Sequence, residues 1–156
     1  MKILGIVCSP RSSGNTETLV RRALESAEKE GAEIELWCFA GKEVKPCDHC
    51  LACSKTGECH IKDDMQDLYP KMIGAHGIII GSPIYFWSVS AQAKLVMDRT
   101  YALRRPTNRL EGKVGGAIAV AGRRGQVEGL TVINNFFLGQ GMTPTGLGVD
   151  GRGSEK

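Results

Sequence analysis

The chain predicts a single α/β domain over residues 1–156: a doubly wound, five-stranded parallel sheet in three layers, α/β/α. Three observations carry this expectation. Short, nearly continuous apolar runs recur, as in strands buried on both faces. Segments with apolar residues three and four apart alternate with those runs. No internal repeat, low-complexity linker or composition break divides the chain. Its 42% hydrophobic and 24% charged residues suffice for one self-standing core.

Lys2 to Cys8 reads as the first strand and runs straight into a polar loop. A helix follows from Asn15, with Leu19, Val20, Ala23, Leu24 and Ala27 on one face. Glu17/Arg21 and Glu25/Lys29 sit four apart on its outer side, and Gly31 ends it. Ile34 to Phe39 is the second strand. Residues 42–64 break the rhythm, carrying four cysteines and no period. A short helix begins near Asp63-Asp64, which Pro70 should kink or delay. His76 to Gly81 is the third strand, Ser90 to Leu103 one helix, Lys113 to Ala121 the fourth strand. Gln126 to Gln140 is helical, and Met142 to Val149 supplies the fifth strand.

Alternating strands and helices of this length imply right-handed βαβ units and a sheet covered on both faces. Five strands suit the flavodoxin-like order 2-1-3-4-5, in which ligands bind beyond the carboxyl ends of the strands. Residues 9–16, 83–89 and 121–125 are expected at that edge. The compact cysteine-rich loop, residues 45–62, is an insertion into this frame.

The formal charge of +3 is small and dispersed, which argues against nucleic acid as a partner. The pairs Arg104/Arg105 and Arg123/Arg124 read as solvated surface. The first apolar run is too short for a signal peptide, and no stretch approaches the ~20 apolar residues needed to span a bilayer. The expectation is a soluble cytoplasmic protein with no membrane partner. In that compartment six cysteines point to metal or redox chemistry before disulfides.

The first loop, Ser9-Pro10-Arg11-Ser12-Ser13-Gly14-Asn15-Thr16, is rich in hydroxyls and opens a helix. A helix N-terminus presents unpaired N–H groups and a partial positive charge, which suits a phosphate dianion without a lysine. Arg11 adds a charge-assisted contact, and Gly14 gives the loop freedom. No G-x-G-x-x-G opens this helix and no G-x-x-x-x-G-K-[ST] occurs, so dinucleotide dehydrogenases and NTPases are disfavoured. The plainer reading is that Asn15 or Thr16 caps the helix and the serines form turns.

Pro83-Ile84-Tyr85-Phe86-Trp87 follows the third strand and places three consecutive aromatics at the switch point. A flavin ring needs such an apolar wall; a buried plug or a subunit contact is the alternative. Gly122 and its neighbours Ala121 and Arg123 would complete the rim.

Cys47-x-x-Cys50-x-x-Cys53-x5-Cys59 lets three thiols converge from one tight loop and a fourth close the set. A [4Fe–4S] cluster takes four thiolates, and ferredoxin-type runs begin with the same spacing. Four-cysteine zinc and unligated thiols are the competing readings. Lys45, Lys55 and His49 are the nearby groups expected to offset the cluster's negative charge. Cys8 and Cys38, in strands, read as buried apolar residues.

The combination of Ser9-Pro10-Arg11-x-x-Gly14-Asn15-Thr16, Asp63-Asp64-Met65 and Gly81-Ser82-Pro83-Ile84-Tyr85 resembles the NADPH-dependent FMN reductase branch of the flavodoxin-like proteins. Lys94 to Asp98-Arg99 is similar as well. The resemblance implies FMN, its phosphate held by Ser9, Arg11, Ser13, Asn15 and Thr16 and its ring against Pro83 to Trp87. In that company the cysteine run resembles the iron–sulfur flavoproteins. This implies Cys47, Cys50, Cys53 and Cys59 as ligands of a [4Fe–4S] cluster that approaches FMN across the subunit boundary of a homodimer or homotetramer.

The expected function is an FMN-dependent oxidoreductase moving electrons between a ferredoxin-like or NAD(P)H donor and a small-molecule acceptor. No side-chain catalytic constellation is evident, so the flavin carries the chemistry; His49, His60 and His76 read as surface or supporting groups. The competing functions are a metal-free NAD(P)H-dependent FMN or quinone reductase, and a non-enzymatic carrier or zinc-stabilised binding module. A fifth strand needs a covering helix, yet only Asp150 to Lys156 follow it. The expectation is therefore a longer gene product or a neighbouring subunit over that face.

Overall fold

The computed structural model describes residues 1–153. Strand β1 (Lys2–Val7) leads to helix α1 (Asn15–Lys29) and strand β2 (Glu33–Cys38). The cysteine loop then contains one helical turn, α2 (Cys53–Thr56), before helix α3 (Met65–Gly74). Strand β3 (Gly77–Tyr85) turns back into the short β4 (Ser88–Val89). Helices α4 (Ala91–Arg99) and α5 (Tyr101–Arg104) precede β5 (Val114–Ala121), α6 (Gln126–Gly139), β6 (Thr143–Pro144) and β7 (Val149–Arg152).

The sheet runs β2-β1-β3-β5-β6, with β7 also on β5, and every pairing within this order is parallel. Counting β6 and β7 as one broken edge strand, this is the expected order 2-1-3-4-5. The period of two in β1 decides what faces which layer. Leu4 and Ile6 enter the large core that also holds Leu68, Met72 and Phe137 from α3 and α6. Val7 and Ile3 face α1 and meet Val20 and Leu24. On the α1 side an apolar groove of about 280 Å³ stays open over β1, β3 and β5, lined in part by Ile3, Ala27, Ile79 and Ile118. Among the described residues no helix follows β7, and no helix is long and apolar enough to cross a membrane.

Four boundaries differ from the sequence expectation. The third strand continues beyond Gly81 to Tyr85, because Ser82 and Pro83 keep pairing with Ala119 and Val120 of β5. Residues 83–89 are therefore a strand end and hairpin, not a loop. Helix α3 passes Pro70 without ending; Met65, Leu68, Tyr69 and Met72 are buried on one face and hold it. The single helix expected over Ser90–Leu103 breaks at Thr100, whose Oγ1 donates to the Met97 carbonyl at 2.6 Å. The fifth strand splits because Pro144 stops ladder donation and Gly146 and Gly148 take φ of 111° and 113°.

Gly115 in β5 lies directly under α6: an added Cβ would sit 2.5 Å from ring carbons of Phe137. Gly115→Ala is expected to cost about 1–3 kcal/mol through overpacking. Urea denaturation should show a lower midpoint at unchanged slope.

Candidate functional site

The carboxyl ends of β1, β3 and β5 gather the first loop, the aromatic hairpin and the 121–125 turn on one edge. The Cys8 N–H donates to the Gly81 carbonyl at 2.8 Å, so the first loop leaves the sheet beside β3. Ser9 is buried, and its hydroxyl accepts the Arg11 N–H at 3.1 Å. Ser13 takes φ of 54°, and its N–H donates to Glu17 Oε2 at 2.7 Å. That backbone donor, and next Arg21 at 2.8 Å, hold the Glu17 carboxyl below the usual glutamate range. Gly14, in extended conformation, is the N-cap, so neither Asn15 nor Thr16 caps the helix and no side chain does. The first turn of this fifteen-residue helix thus keeps its donors and about half a positive charge directed at the loop. Thr16 is buried, whereas Arg11, Ser13 and Asn15 are exposed around it.

Across the edge, Tyr85 pairs with Ser88 and Ile84 with Val89, leaving Phe86-Trp87 as a two-residue turn. Both take positive φ, 47° and 65°, a conformation that such hairpins usually give to Asn-Gly. Bulky residues there cost of order 1–3 kcal/mol each. Phe86 is fully exposed, and Tyr85 and Trp87 about half exposed, so the hairpin is neither a core plug nor a relaxed surface turn. Phe86, Trp87, Gly122, Arg123 and Arg124 line a cavity of about 440 Å³, which gives the second basic pair a place at the rim. Gly125, at φ 96°, allows the turn after β5 to approach; a Cβ there would stand 2.9 Å from Trp87 Cα. Two buried hydroxyls tie the parts together. Ser90 Oγ donates to the Cys8 carbonyl at 2.7 Å and accepts the Ala93 N–H at 3.2 Å, capping α4. The Ser90 N–H donates to Ser82 Oγ at 3.0 Å.

The loop after β2 brings Cys47, Cys50, Cys53 and Cys59 to one cavity of about 280 Å³, shared with His60, Arg99 and Tyr101. All four are free thiols; Cys47 and Cys50 are exposed, Cys53 and Cys59 half-buried. His49 and Leu51 flank Cys50 at φ 57° and 60°, the sharp winding that this spacing demands. Burial, then the sulfurs of Cys59, Cys50 and Cys47, push the Cys53 thiol up, so gathering four thiolates calls for positive charge. No three of the four sulfurs lie within 4.8 Å of one another, whereas Asp48, Cys50 and His60 donor atoms do. Tetrahedral zinc would draw thiolate sulfurs to about 3.8 Å of each other, from a Zn–S bond of about 2.3 Å. Four thiols around one cavity are a donor set that suits an iron–sulfur core as well.

Several supporting residues were not singled out from the sequence for these roles. Asp63 and Arg99 form a buried ion pair beneath the cysteine cavity, with side chains 2% and 0% exposed. Asp63 also accepts the N–H groups of Lys45 at 2.9 Å and Met65 at 3.1 Å. Burial works against the Asp63 charge, but Arg99 and these two donors outweigh it and hold the carboxyl below its ordinary range. Lys45, expected to offset the thiolates, turns its ammonium to Glu43 at 3.6 Å. Glu17 had a legible signal, a carboxylate three residues after the N-cap; Ser82, Ser90, Asp63 and Arg99 meet only through the fold. Cys8 is fully buried as expected, and Cys38 only partly so.

These features define a flavodoxin-like α/β domain with a cysteine-lined cavity between the loop after β2 and helices α4 and α5. The profile of the NADPH-dependent FMN reductase family matches residues 1–149, and the chain belongs to that family, within its iron–sulfur flavoproteins. An iron–sulfur flavoprotein of Methanocaldococcus jannaschii is 47% identical over 148 residues, covering 94% of this chain and 76% of that protein. An iron–sulfur flavoprotein of Methanosarcina thermophila is 40% identical over 148 residues, covering 94% and 78%. Among solved structures, RosB with a bound riboflavin-phosphate intermediate superposes with a TM-score of 0.81 at 19% identity, covering 100% of this chain and 66% of RosB. A flavodoxin from the Archaea gives 0.66 at 18% identity, covering 99% and 87%. The two structural likenesses establish the fold.

Ser90→Ala should cost about 1–3 kcal/mol, because it strands the Cys8 carbonyl and removes the α4 cap. Thermal or urea unfolding checks this. Asp63→Asn should destabilise by roughly 3–5 kcal/mol at pH 7, leaving Arg99 buried without its counter-charge. The depressed pKa means that Asp63 stabilises the fold above the unfolded value of about 3.9, and that this is lost as pH falls through the lower folded value. The gap between wild type and Asp63→Asn should therefore narrow on acidification from pH 7 to below 4, read by urea titrations at both pH values.

Proposed function

We propose that the chain is an FMN-dependent oxidoreductase that moves electrons between a ferredoxin-like or NAD(P)H donor and a small-molecule acceptor, with a [4Fe–4S] cluster on Cys47, Cys50, Cys53 and Cys59. The observation that carries this reading is four free thiols lining one cavity in a chain of the NADPH-dependent FMN reductase family. When bound, FMN supplies two-electron chemistry that can be released singly, and a cluster supplies one-electron exchange.

The uncapped start of α1 suits the phosphate of FMN. Its first-turn N–H groups, with the side chains of Ser9, Arg11, Ser13, Asn15 and Thr16, would surround a dianion, and Gly14 leaves room for it. Glu17 holds Ser13 in place while its own charge is taken up by Arg21, so the loop does not repel the phosphate. Pro83, Ile84, Tyr85, Phe86 and Trp87, with Ala121 and Gly122, supply the apolar wall for the flavin ring. Arg123 and Arg124 at the rim suit an anionic donor or acceptor such as a nicotinamide nucleotide. The exposed aromatic turn suits closure by a second subunit, in a homodimer or homotetramer.

Asn15→Ala or Thr16→Ala should weaken FMN binding by roughly 1–3 kcal/mol each, measured by flavin titration. Undiminished FMN retention in a Ser9/Asn15/Thr16 triple-alanine variant would overturn the phosphate assignment. Protein purified anaerobically should carry about four iron and four sulfide per chain. Replacing any one of Cys47, Cys50, Cys53 or Cys59 by Ala should abolish the broad cluster absorbance, whereas Cys8→Ala and Cys38→Ala should spare it. Stoichiometric zinc in place of iron would refute the cluster.

A further inference from the structure

Arg99, the last residue of α4, is completely buried yet lines the cysteine cavity. Its guanidinium reaches both ends of the cysteine loop at once. Nη1 donates to the Lys45 carbonyl at 2.7 Å and to Asp63 Oδ2. Nη2 donates to Asp63 Oδ1 at 3.0 Å, the Ile61 carbonyl at 3.4 Å and Cys59 Sγ at 3.5 Å. Nε is buried and has no hydrogen-bond partner among the described residues. Asp63 closes the ring by accepting the Lys45 N–H, and the Tyr69 hydroxyl donates to the Arg99 carbonyl at 3.1 Å.

A buried ion pair is a poor source of stability, since desolvation offsets most of the attraction; apolar side chains would fill the same space at no such cost. Fastening an eighteen-residue loop that has little secondary structure is a different task. A planar guanidinium, with donors fanned in one plane, can take two backbone carbonyls, a carboxylate and a sulfur together. An ammonium cannot. The donor to Cys59 also has an electronic consequence. One-electron reduction of a [4Fe–4S] core adds negative charge to its thiolates, and a hydrogen bond to one of those sulfurs favours the reduced form. Lys45 does not serve in this way, because it faces Glu43.

We propose that Arg99 is the positioning residue of the cysteine centre: it clamps residues 45 and 61–63 onto α4 and, through its N–H bond to the Cys59 sulfur, raises the one-electron potential of the cluster. The electronic half rests on the cluster reading given above; the clamping half does not.

The test uses Arg99→Lys, which keeps the charge beside Asp63, and the double variant Arg99→Gln/Asp63→Asn, which replaces the ion pair by a shorter, neutral polar pair that leaves no unpaired charge. In reduced, metal-free protein, hydrogen exchange followed by mass spectrometry should show amides of residues 45–63 exchanging at least about tenfold faster in both variants, while β5 and α6 keep their protection. In reconstituted protein, redox titration followed by electron paramagnetic resonance should show the cluster's one-electron equilibrium shifted about tenfold toward the oxidised form in the double variant, ~59 mV at one electron. The flavin's own midpoint should move much less. Unchanged exchange in the loop would overturn the clamp. An unchanged cluster potential, or an equal shift of cluster and flavin, would overturn the role of the Cys59 hydrogen bond. Failure of the wild type to take up iron and sulfide would instead refute the cluster assignment, and the exchange measurement would still decide the clamp.

Discussion

The buried pair of Asp63 and Arg99 is the contact on which the cysteine centre depends. Residues 39–64 leave the edge of the sheet after β2 and contain only the single turn of α2, so little backbone pairing holds them. A chain segment of that length has a large entropy to lose on ordering. The pair concentrates that ordering at one point, where a carboxylate and a guanidinium each bind backbone groups from both ends of the loop. Arg109 adds a second anchor, donating to the Gly57 and Ala102 carbonyls and joining the far end of α2 to α5.

The parallel ladder is the other constraint. Because β1, β3 and β5 share one direction, their carboxyl ends deliver the first loop, the aromatic hairpin and the 121–125 turn to one edge. Fine placement comes from polar groups that have no visible periodicity. Ser90 binds β3, α4 and the residue after β1 through one hydroxyl and one amide, and Glu17 fixes the left-handed Ser13. Strain accumulates where a ligand would lie: the Phe86-Trp87 turn and the residues flanking Cys50 all adopt positive φ. A fold that holds bulky side chains in this conformation at two places supports them with neighbouring contacts, as Gly125 does for Trp87.

The two faces of the sheet are unequal. Helices α3, α4 and α6 bury a continuous core on one side, from Leu4 through Met72 to Phe137. On the other side, among the described residues, α1 alone packs a small cluster around Val7, Val20 and Ile118, and an apolar groove lies beside it. The site edge is built mostly on the fully packed side: the cysteine cavity rests on α4 and α5, and the aromatic hairpin leads directly into α4. Precision at a redox centre requires such backing, because loop residues without it would sample many arrangements.

By itself, the sequence determined the class of fold, the strand order and the identity of the groups at the edge. Those properties depend on local signals: continuous apolar runs, helical periods, a hydroxyl-rich loop before a helix, and three thiols at three-residue spacing. The start of α1 at Asn15 and the placement of all four cysteines between β2 and α3 follow from such signals alone. Only the tertiary structure decided the rest. The strand β3 runs on to Tyr85 because β5 lies beside it, and α3 tolerates Pro70 because its other face is buried. Arg99 reads in the sequence as one charge within the helix expected over Ser90–Leu103; thirty-six residues separate it from Asp63 and forty from Cys59. No period or motif links positions so far apart. Their meeting is set by how α4 packs against the loop after β2, and a contact of that kind exists only once the chain has folded.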